Sequence, residues 1–384
     1  MRKSVWRCFV EYRIRPMYPD EPYRKRNDPE AGKIIAERIQ GIAESLGREI
    51  NIMEVCGTHT VSLRQAGIHS LLPDNINLIS GPGCPVCVTP GSYIDNAVGL
   101  VESGEAVVAS FGDMLKVPDS KGKALSAYMG TGKVRTVYSP TELSEIVRET
   151  DKPVVFLGIG FETTIPGIAS VFLKEHAQKT KNLYLYCAFK TVPQALKVLL
   201  SEKPRYIDGF LLPGHVSVII GRKAYLFLES EEGVPGAIAG FEPVDMLLGI
   251  YSILLNISRK ENRVENVYSR AVREEGNPKA REIMEELLKP VDALWRGLGV
   301  IPVSGMGLKR EYKEMDAESV FGLSELTNKE PPGCLCSEVI QGKAKPPDCS
   351  LFNDGCTPEA PIGPCMVSFE GTCSAYLRYG DVKV

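Results

Sequence analysis

The sequence predicts an α/β fold: two similar parallel-sheet α/β domains facing across a cleft, followed by a small cysteine-rich C-terminal domain. Three observations predict it. Short apolar runs alternate with segments of helical periodicity from about residue 29 to 245. Each apolar run ends in a glycine-, proline- or polar-rich motif, and a parallel sheet places its functional crevice at that end of its strands. From about Lys329 the composition changes: Pro and Gly become frequent, apolar residues scarce, and six cysteines follow, Cys334, Cys336, Cys349, Cys356, Cys365 and Cys373.

The 384 residues suffice for two or three domains and a sizeable core. A net charge of −3, with no basic stripe interleaved with aromatics, gives no sign of nucleic-acid binding. Met1 to Arg15 mix apolar and charged residues and do not read as a signal peptide. Val234–Ile257 comes closest to a membrane span, but Glu242 and Asp245 interrupt it. A cytoplasmic location without membrane attachment is expected. Eleven cysteines in a reducing compartment point to metal or redox chemistry rather than structural disulfides. Histidines number only four (His59, His69, His176 and His215), so sulfur dominates any metal site.

Residues 1–28 are charged and proline-containing and read as a poorly ordered extension, with Cys8 an incidental thiol. Ile34, Ile35, Ile39, Ile42 and Leu46 recur at helical spacing, so a helix is expected from Pro29 to Leu46, ended by Gly47. Ile50–Val55 reads as a strand running into Cys56-Gly57-Thr58-His59, followed by a helix to Ala66. Further strands feed Gly81-Pro82-Gly83-Cys84-Pro85-Val86-Cys87, Gly112-Asp113, Ser139-Pro140, Gly160-Phe161-Glu162-Thr163-Thr164, Lys190-Thr191, Pro213-Gly214-His215-Val216-Ser217 and Gly240-Phe241-Glu242-Pro243. The two domains are expected over 29–138 and 139–245. Residues 246–328 read as a helical covering segment, with a helix from Pro278 to Trp295 and a strand at Ile301-Pro302-Val303. The tail, 329–384, has too few apolar residues to fold without a metal or disulfide staple.

Cys84 and Cys87 form a C-x-x-C pair on a rigid turn, suited either to binding a soft metal or to cycling between dithiol and disulfide. Cys56, at the end of a neighbouring strand, adds a third thiol; at a helix start its pKa is expected to be lowered. His59 can orient that site or donate a proton, and the competing reading is a closed zinc site of three Cys and one His. Glu162 and Glu242 occupy equivalent places in the two halves and can serve as general bases or hold a partner group; helix-cap chemistry of Glu162, Thr163 and Thr164 is the alternative. His215 follows a strand and is a further candidate; Cys187, within a strand, reads as packing. Four of the tail cysteines can hold a 4Fe-4S cluster and two remain as a redox pair; one zinc with two incidental thiols is the alternative.

Taken in order, Cys56–His59, Gly81–Cys87, Gly160–Thr164, Pro213–Ser217, Gly240–Pro243 and the six-cysteine tail resemble the HypD family, iron-sulfur scaffold proteins of NiFe hydrogenase maturation. The resemblance covers roughly residues 29–384. It implies a complex with HypC on which an iron atom acquires two cyanides and one carbon monoxide. It also implies HypE as the cyano donor, and transfer of the finished unit to the hydrogenase large subunit. By the same resemblance Cys56 is the iron ligand, and Cys84 and Cys87 are a neighbouring redox pair or further ligands. The tail resembles the cluster domain of ferredoxin–thioredoxin reductase. That implies Cys334, Cys349, Cys356 and Cys373 as 4Fe-4S ligands, and Cys336 with Cys365 as the redox-active disulfide. Two other functions compete: a thiol–disulfide oxidoreductase fed by the tail, and a zinc hydrolase with Cys56, Cys84 and Cys87 as ligands and Glu162 as base. The second leaves the tail without a role.

Overall fold

A computed structural model describes residues 28–380; all of the N-terminal extension but Asp28, its Cys8 included, lies outside the described residues. The first helix, Pro29–Leu46, starts at Asp28, whose carboxylate accepts the Glu30 N–H at 3.0 Å, and stops at Gly47 in the left-handed conformation. Its Ala31, Ile35, Ile39 and Ala43 are buried, as the helical spacing requires.

Twelve strands follow among the described residues: β1 (Ile50–Glu54), β2 (Ile76–Ser80), β3 (Val107–Phe111), β4 (Val134–Val137), β5 (Val154–Gly158), β6 (Leu183–Cys187), β7 (Phe189–Lys190), β8 (Gly209–Pro213), β9 (Gly236–Ala239), β10 (Val264–Asn266), β11 (Leu288–Trp295) and β12 (Gly299–Leu308). They form two parallel sheets, ordered β10-β9-β8-β1-β2 and β4-β3-β5-β6, and a three-stranded antiparallel sheet ordered β11-β12-β7. Strands β5 and β8 are buried along their whole length, which fits apolar runs covered on both faces.

The sheets do not follow the expected division at 138/139. The first takes β1 and β2 from one half, β8 and β9 from the other and β10 from the segment after both, while β3 to β6 form the second sheet. Each sheet therefore has its own reversal of strand order, between β1 and β8 in the first and between β3 and β5 in the second. Crevices in open α/β sheets form outside the carboxyl ends of the strands at such reversals.

Two further expectations are corrected. The helix at Pro278 stops at Leu287, and the chain continues as β11. Pro290 accounts for this, because it disfavours helical backbone at Lys289 and cannot donate within a helix. The 246–328 segment is therefore not only helical: Pro243–Arg259 and Pro278–Leu287 are helices, but β11 and β12 make a hairpin that includes Ile301-Pro302-Val303. No helix among the described residues is long and apolar enough to cross a membrane.

Candidate functional site

The strand-order reversal of the first sheet places Cys56 after β1 and Gly214-His215 after β8. Cys56 is the N-cap of the helix Gly57–Gln65, as its position suggests. The loop after β2 crosses directly over it. The Gly57 N–H donates to the Gly83 carbonyl at 3.0 Å, and a Cβ at Gly83 would lie 2.3 Å from the Cys56 nitrogen. Only glycine permits that approach, and it brings the turn carrying Cys84 and Cys87 beside Cys56.

Cys84 and Cys87 are joined as a disulfide. Cys84 caps the short turn Pro85–Val88, its sulfur accepting the Cys87 N–H at 3.2 Å. Both cysteines are buried, in one apolar cluster with Phe161, Tyr225, Trp295, Cys336 and Cys365. The turn packs on the tail helix Pro364–Val367, with the Cys87 sulfur 3.9 Å from the Pro364 carbonyl oxygen.

The expected lowering of the Cys56 pKa is overturned. Burial, and then the nearby Glu370 carboxylate, push its thiol up to about 12; hydrogen bonds from the backbone of His59 and Thr58 oppose this without prevailing. Glu370 was not singled out by the sequence. Its carboxylate accepts the Thr58 hydroxyl at 2.5 Å, and its backbone carbonyl would lie 2.5 Å from a Cβ at Gly57. Just before it, the Ser368 hydroxyl and the Phe369 N–H donate to Asp113 at 3.2 and 3.1 Å. Asp113 follows β3, at the reversal of the second sheet. The segment Ser368–Gly371 thus straps the carboxyl ends of both sheets together and lies over the start of the Cys56 helix.

His59 is fully buried, and its Nε2 lies 2.9 Å from the Gly240 carbonyl oxygen, which makes Nε2 the protonated nitrogen. Burial lowers its pKa to about 4, so the ring is neutral at pH 7. Phe241 stacks on His215 at 4.0 Å between centroids and meets His59 at 4.7 Å. His215 is solvent-exposed on the far side of this stack. Glu162 is 2 % exposed and accepts the Val192 N–H at 3.0 Å, capping the helix Val192–Ser201, while its other oxygen has no hydrogen-bond partner. Burial raises its pKa to about 7. Tyr225, also unforeseen, is buried within electrostatic reach of both Glu162 and Cys56. Glu242 begins the helix Pro243–Arg259 without a side-chain cap, one of its oxygens buried and unpartnered. Cys187 is a half-buried free thiol packed against the second sheet's core.

All six tail cysteines line one small apolar cavity, with Leu335, Val339, Leu351, Phe352, Gly363 and Met366 between them. A Cβ at Gly363 would sit 2.8 Å from the Cys334 sulfur, so glycine there leaves that sulfur its room. The Cys336 and Cys365 sulfurs are 2.7 Å apart. Hydrogen bonds with Cys334 and then Cys365 hold the Cys336 thiol well below the usual range. Among the described residues no three His, Cys, Asp or Glu side chains are grouped as a single metal ion requires.

Comparison with known proteins finds similarity along nearly the whole chain. The family model described as HypD, hydrogenase formation hypA family, matches residues 30–380. The chain belongs to the HypD family. It is 39% identical over 347 residues to the hydrogenase maturation factor HypD of Escherichia coli, which covers 90% of this chain and 93% of that one. The HypD of Rhodobacter capsulatus is 37% identical over 366 residues (93% and 97%), and that of Cupriavidus necator 38% over 366 residues (93% and 96%). The chain is accordingly a hydrogenase maturation factor.

Proposed function

We propose that this HypD chain is the scaffold on which, in complex with HypC, an iron atom acquires two cyanides and one carbon monoxide. HypE supplies the cyano groups, and the hydrogenase large subunit receives the finished unit. Iron is here a cargo. Its proposed protein ligand is Cys56, joined or assisted by Cys84 and Cys87 once their disulfide is opened. Soft thiolates suit low-spin iron carrying such ligands. The observation that carries the reading is the position of the Cys84–Cys87 disulfide, between the Cys56 loop on one side and the thiols of the tail on the other.

The tail cavity fits a 4Fe-4S cluster: its walls are apolar and its donors are all sulfur. Cys334, Cys349, Cys356 and Cys373 would hold it, leaving the adjacent Cys336 and Cys365 as the redox pair. Such a cluster supplies electrons one at a time. Of the chain's own residues, His59 lies in the first turn after Cys56 with Phe241 packed on its ring, and Glu162 holds or releases a proton near neutrality. Iron and labile sulfide are expected in anaerobically purified protein, and Cys349→Ala or Cys356→Ala should bleach it. Stoichiometric zinc without labile sulfide would rule the cluster out.

A second reading, a thiol–disulfide oxidoreductase fed by the tail, is favoured by the same disulfide. Infrared spectra of the complex with HypC separate the two, since only the scaffold carries cyanide and carbon monoxide bands.

A further inference from the structure

The turn joining β11 to β12 belongs to none of the motifs above, yet it touches the segments of both thiol pairs. Arg296, in that turn, is 3 % exposed. Its backbone N–H donates to the Val88 carbonyl at 2.8 Å and its Nε to the Thr89 carbonyl at 3.1 Å, so it grips the end of the Cys84–Cys87 turn twice. Its Nη1 donates to the Glu330 carboxylate at 2.9 Å, at the entrance to the tail. The next residue, Gly297, is held from the other side: its carbonyl accepts the Gln341 side-chain amide at 2.8 Å, and a Cβ there would lie 3.0 Å from the Ser337 carbonyl oxygen. Ser337 lies in the first turn of the helix that begins at Cys336, and Gln341 caps its end. This one turn, Arg296–Leu298, therefore sets the Cys84–Cys87 segment and the Cys336 helix relative to each other.

We propose that Arg296 is a positioning residue for electron-pair transfer from the Cys336/Cys365 dithiol to the Cys84–Cys87 disulfide. The inference rests on the reading of these cysteines as communicating redox pairs. In the transfer, one tail thiolate attacks a sulfur of the Cys84–Cys87 disulfide, breaking that bond and forming a mixed disulfide. The second tail thiolate then attacks its partner's sulfur and releases the mixed disulfide. A Cys336–Cys365 disulfide and a Cys84/Cys87 dithiol result; two electrons have moved inward, and two thiol protons are transferred with them. Attack requires in-line approach of sulfur to sulfur, so the rate depends on how the two segments are docked. A planar guanidinium with donors fixed in a fork meets the Thr89 carbonyl and the Glu330 carboxylate together; a lysine ammonium has no such fork.

The test uses the full-length protein, anaerobic and as isolated, with reduced methyl viologen as electron source. Acid quenching, alkylation and mass mapping then follow the thiols of each pair over time. In the unaltered protein the Cys84/Cys87 thiols should appear with no lag behind those of Cys336/Cys365. In Arg296→Gln the tail pair should be reduced at the unaltered rate, while Cys84/Cys87 lags at least tenfold. Arg296→Lys should recover part of that loss, and Glu330→Gln, which keeps the grip on Thr89, should lag two- to threefold. Direct reduction of Cys84–Cys87 by dithiothreitol should stay within twofold in every variant, because a positioning residue leaves the disulfide's own reactivity alone. Unchanged transfer in both Arg296→Gln and Glu330→Gln overturns the role of Arg296, as does equal slowing of the dithiothreitol reaction. If the unaltered protein reduces its tail pair and never its Cys84–Cys87 disulfide, the underlying reading of communicating pairs fails instead.

Discussion

The Thr58 hydroxyl donates to the Glu370 carboxylate over 2.5 Å, and this contact fastens the C-terminal tail to the helix that begins beside Cys56. It places a negative charge next to a buried thiol, opposite in effect to the helix start. Glu370→Gln keeps an acceptor for Thr58 and removes the charge. The Cys56 pKa should then fall below its present value of about 12, since Glu370 is the second cause of its elevation after burial. Cys56 should alkylate faster with iodoacetamide at pH 8 to 9, followed by mass mapping. An unchanged pH–rate profile would remove Glu370 from the account.

Glu162 gives a stability test. Its folded pKa of about 7 lies above the 4.5 of a free glutamate, so between these pH values the folded protein binds the extra proton. Stability should therefore fall as pH rises through this window, by up to about 3 kcal/mol for a shift of this size. Glu162→Gln retains an oxygen for the Val192 N–H and cannot ionise. Urea unfolding should show the variant gaining on the unaltered protein from pH 5 to pH 8. A gap that is flat with pH would contradict the assigned ionisation.

Gly83 tests the crossing of the two loops. A Cβ there meets backbone atoms of Val55 and Cys56, which cannot move aside as a flexible side chain can. Gly83→Ala should cost about 3 kcal/mol, at the upper end for a single substitution, read from the midpoint of urea unfolding. Gly41→Ala, where a Cβ meets nothing within 4 Å, is the control and should not destabilise.

Among the tail thiols, Cys336→Ala should keep the cluster absorbance, because the four proposed ligands remain, while maturation fails. Cys334→Ala should lose the absorbance. The reverse pattern would exchange the ligand and redox assignments. The 2.7 Å separation of Cys336 from Cys365 favours the assignment as stated.

Much of this was legible in the sequence because it is local. The helix at Pro29–Leu46 carries both its stop signal and its apolar period, and the strands announce themselves by apolar runs ending in Gly or Pro. The strand order was not legible. β2 and β3 are alike as apolar runs, and nothing local says that the chain leaves one sheet after β2 and returns at β8. The thiols stood out because cysteine is rare, and Cys56 and Cys84 were placed at neighbouring strand ends by their motifs. Glu370 and Arg296 were missed for one reason: each acts through a contact more than 150 residues away in the chain, with Thr58 and Thr89 respectively. Asp113 gave a partial signal, since it follows a strand like the other site residues, but its partners lie in the tail. The helix start at Cys56 was read correctly, whereas its electrostatic consequence was not, because burial cannot be seen from the order of residues.

The central claim is that Cys56 holds the iron while the tail serves it with electrons. The most direct measurement is the infrared spectrum of the protein purified anaerobically with HypC, recorded beside the cluster absorbance, for the unaltered chain and for Cys56→Ala. The account predicts cyanide and carbon monoxide stretching bands in the first, and in Cys56→Ala no such bands with the cluster absorbance intact. Full cyanide and carbon monoxide bands in Cys56→Ala would contradict it and would pass the role of ligand to Cys84 or Cys87.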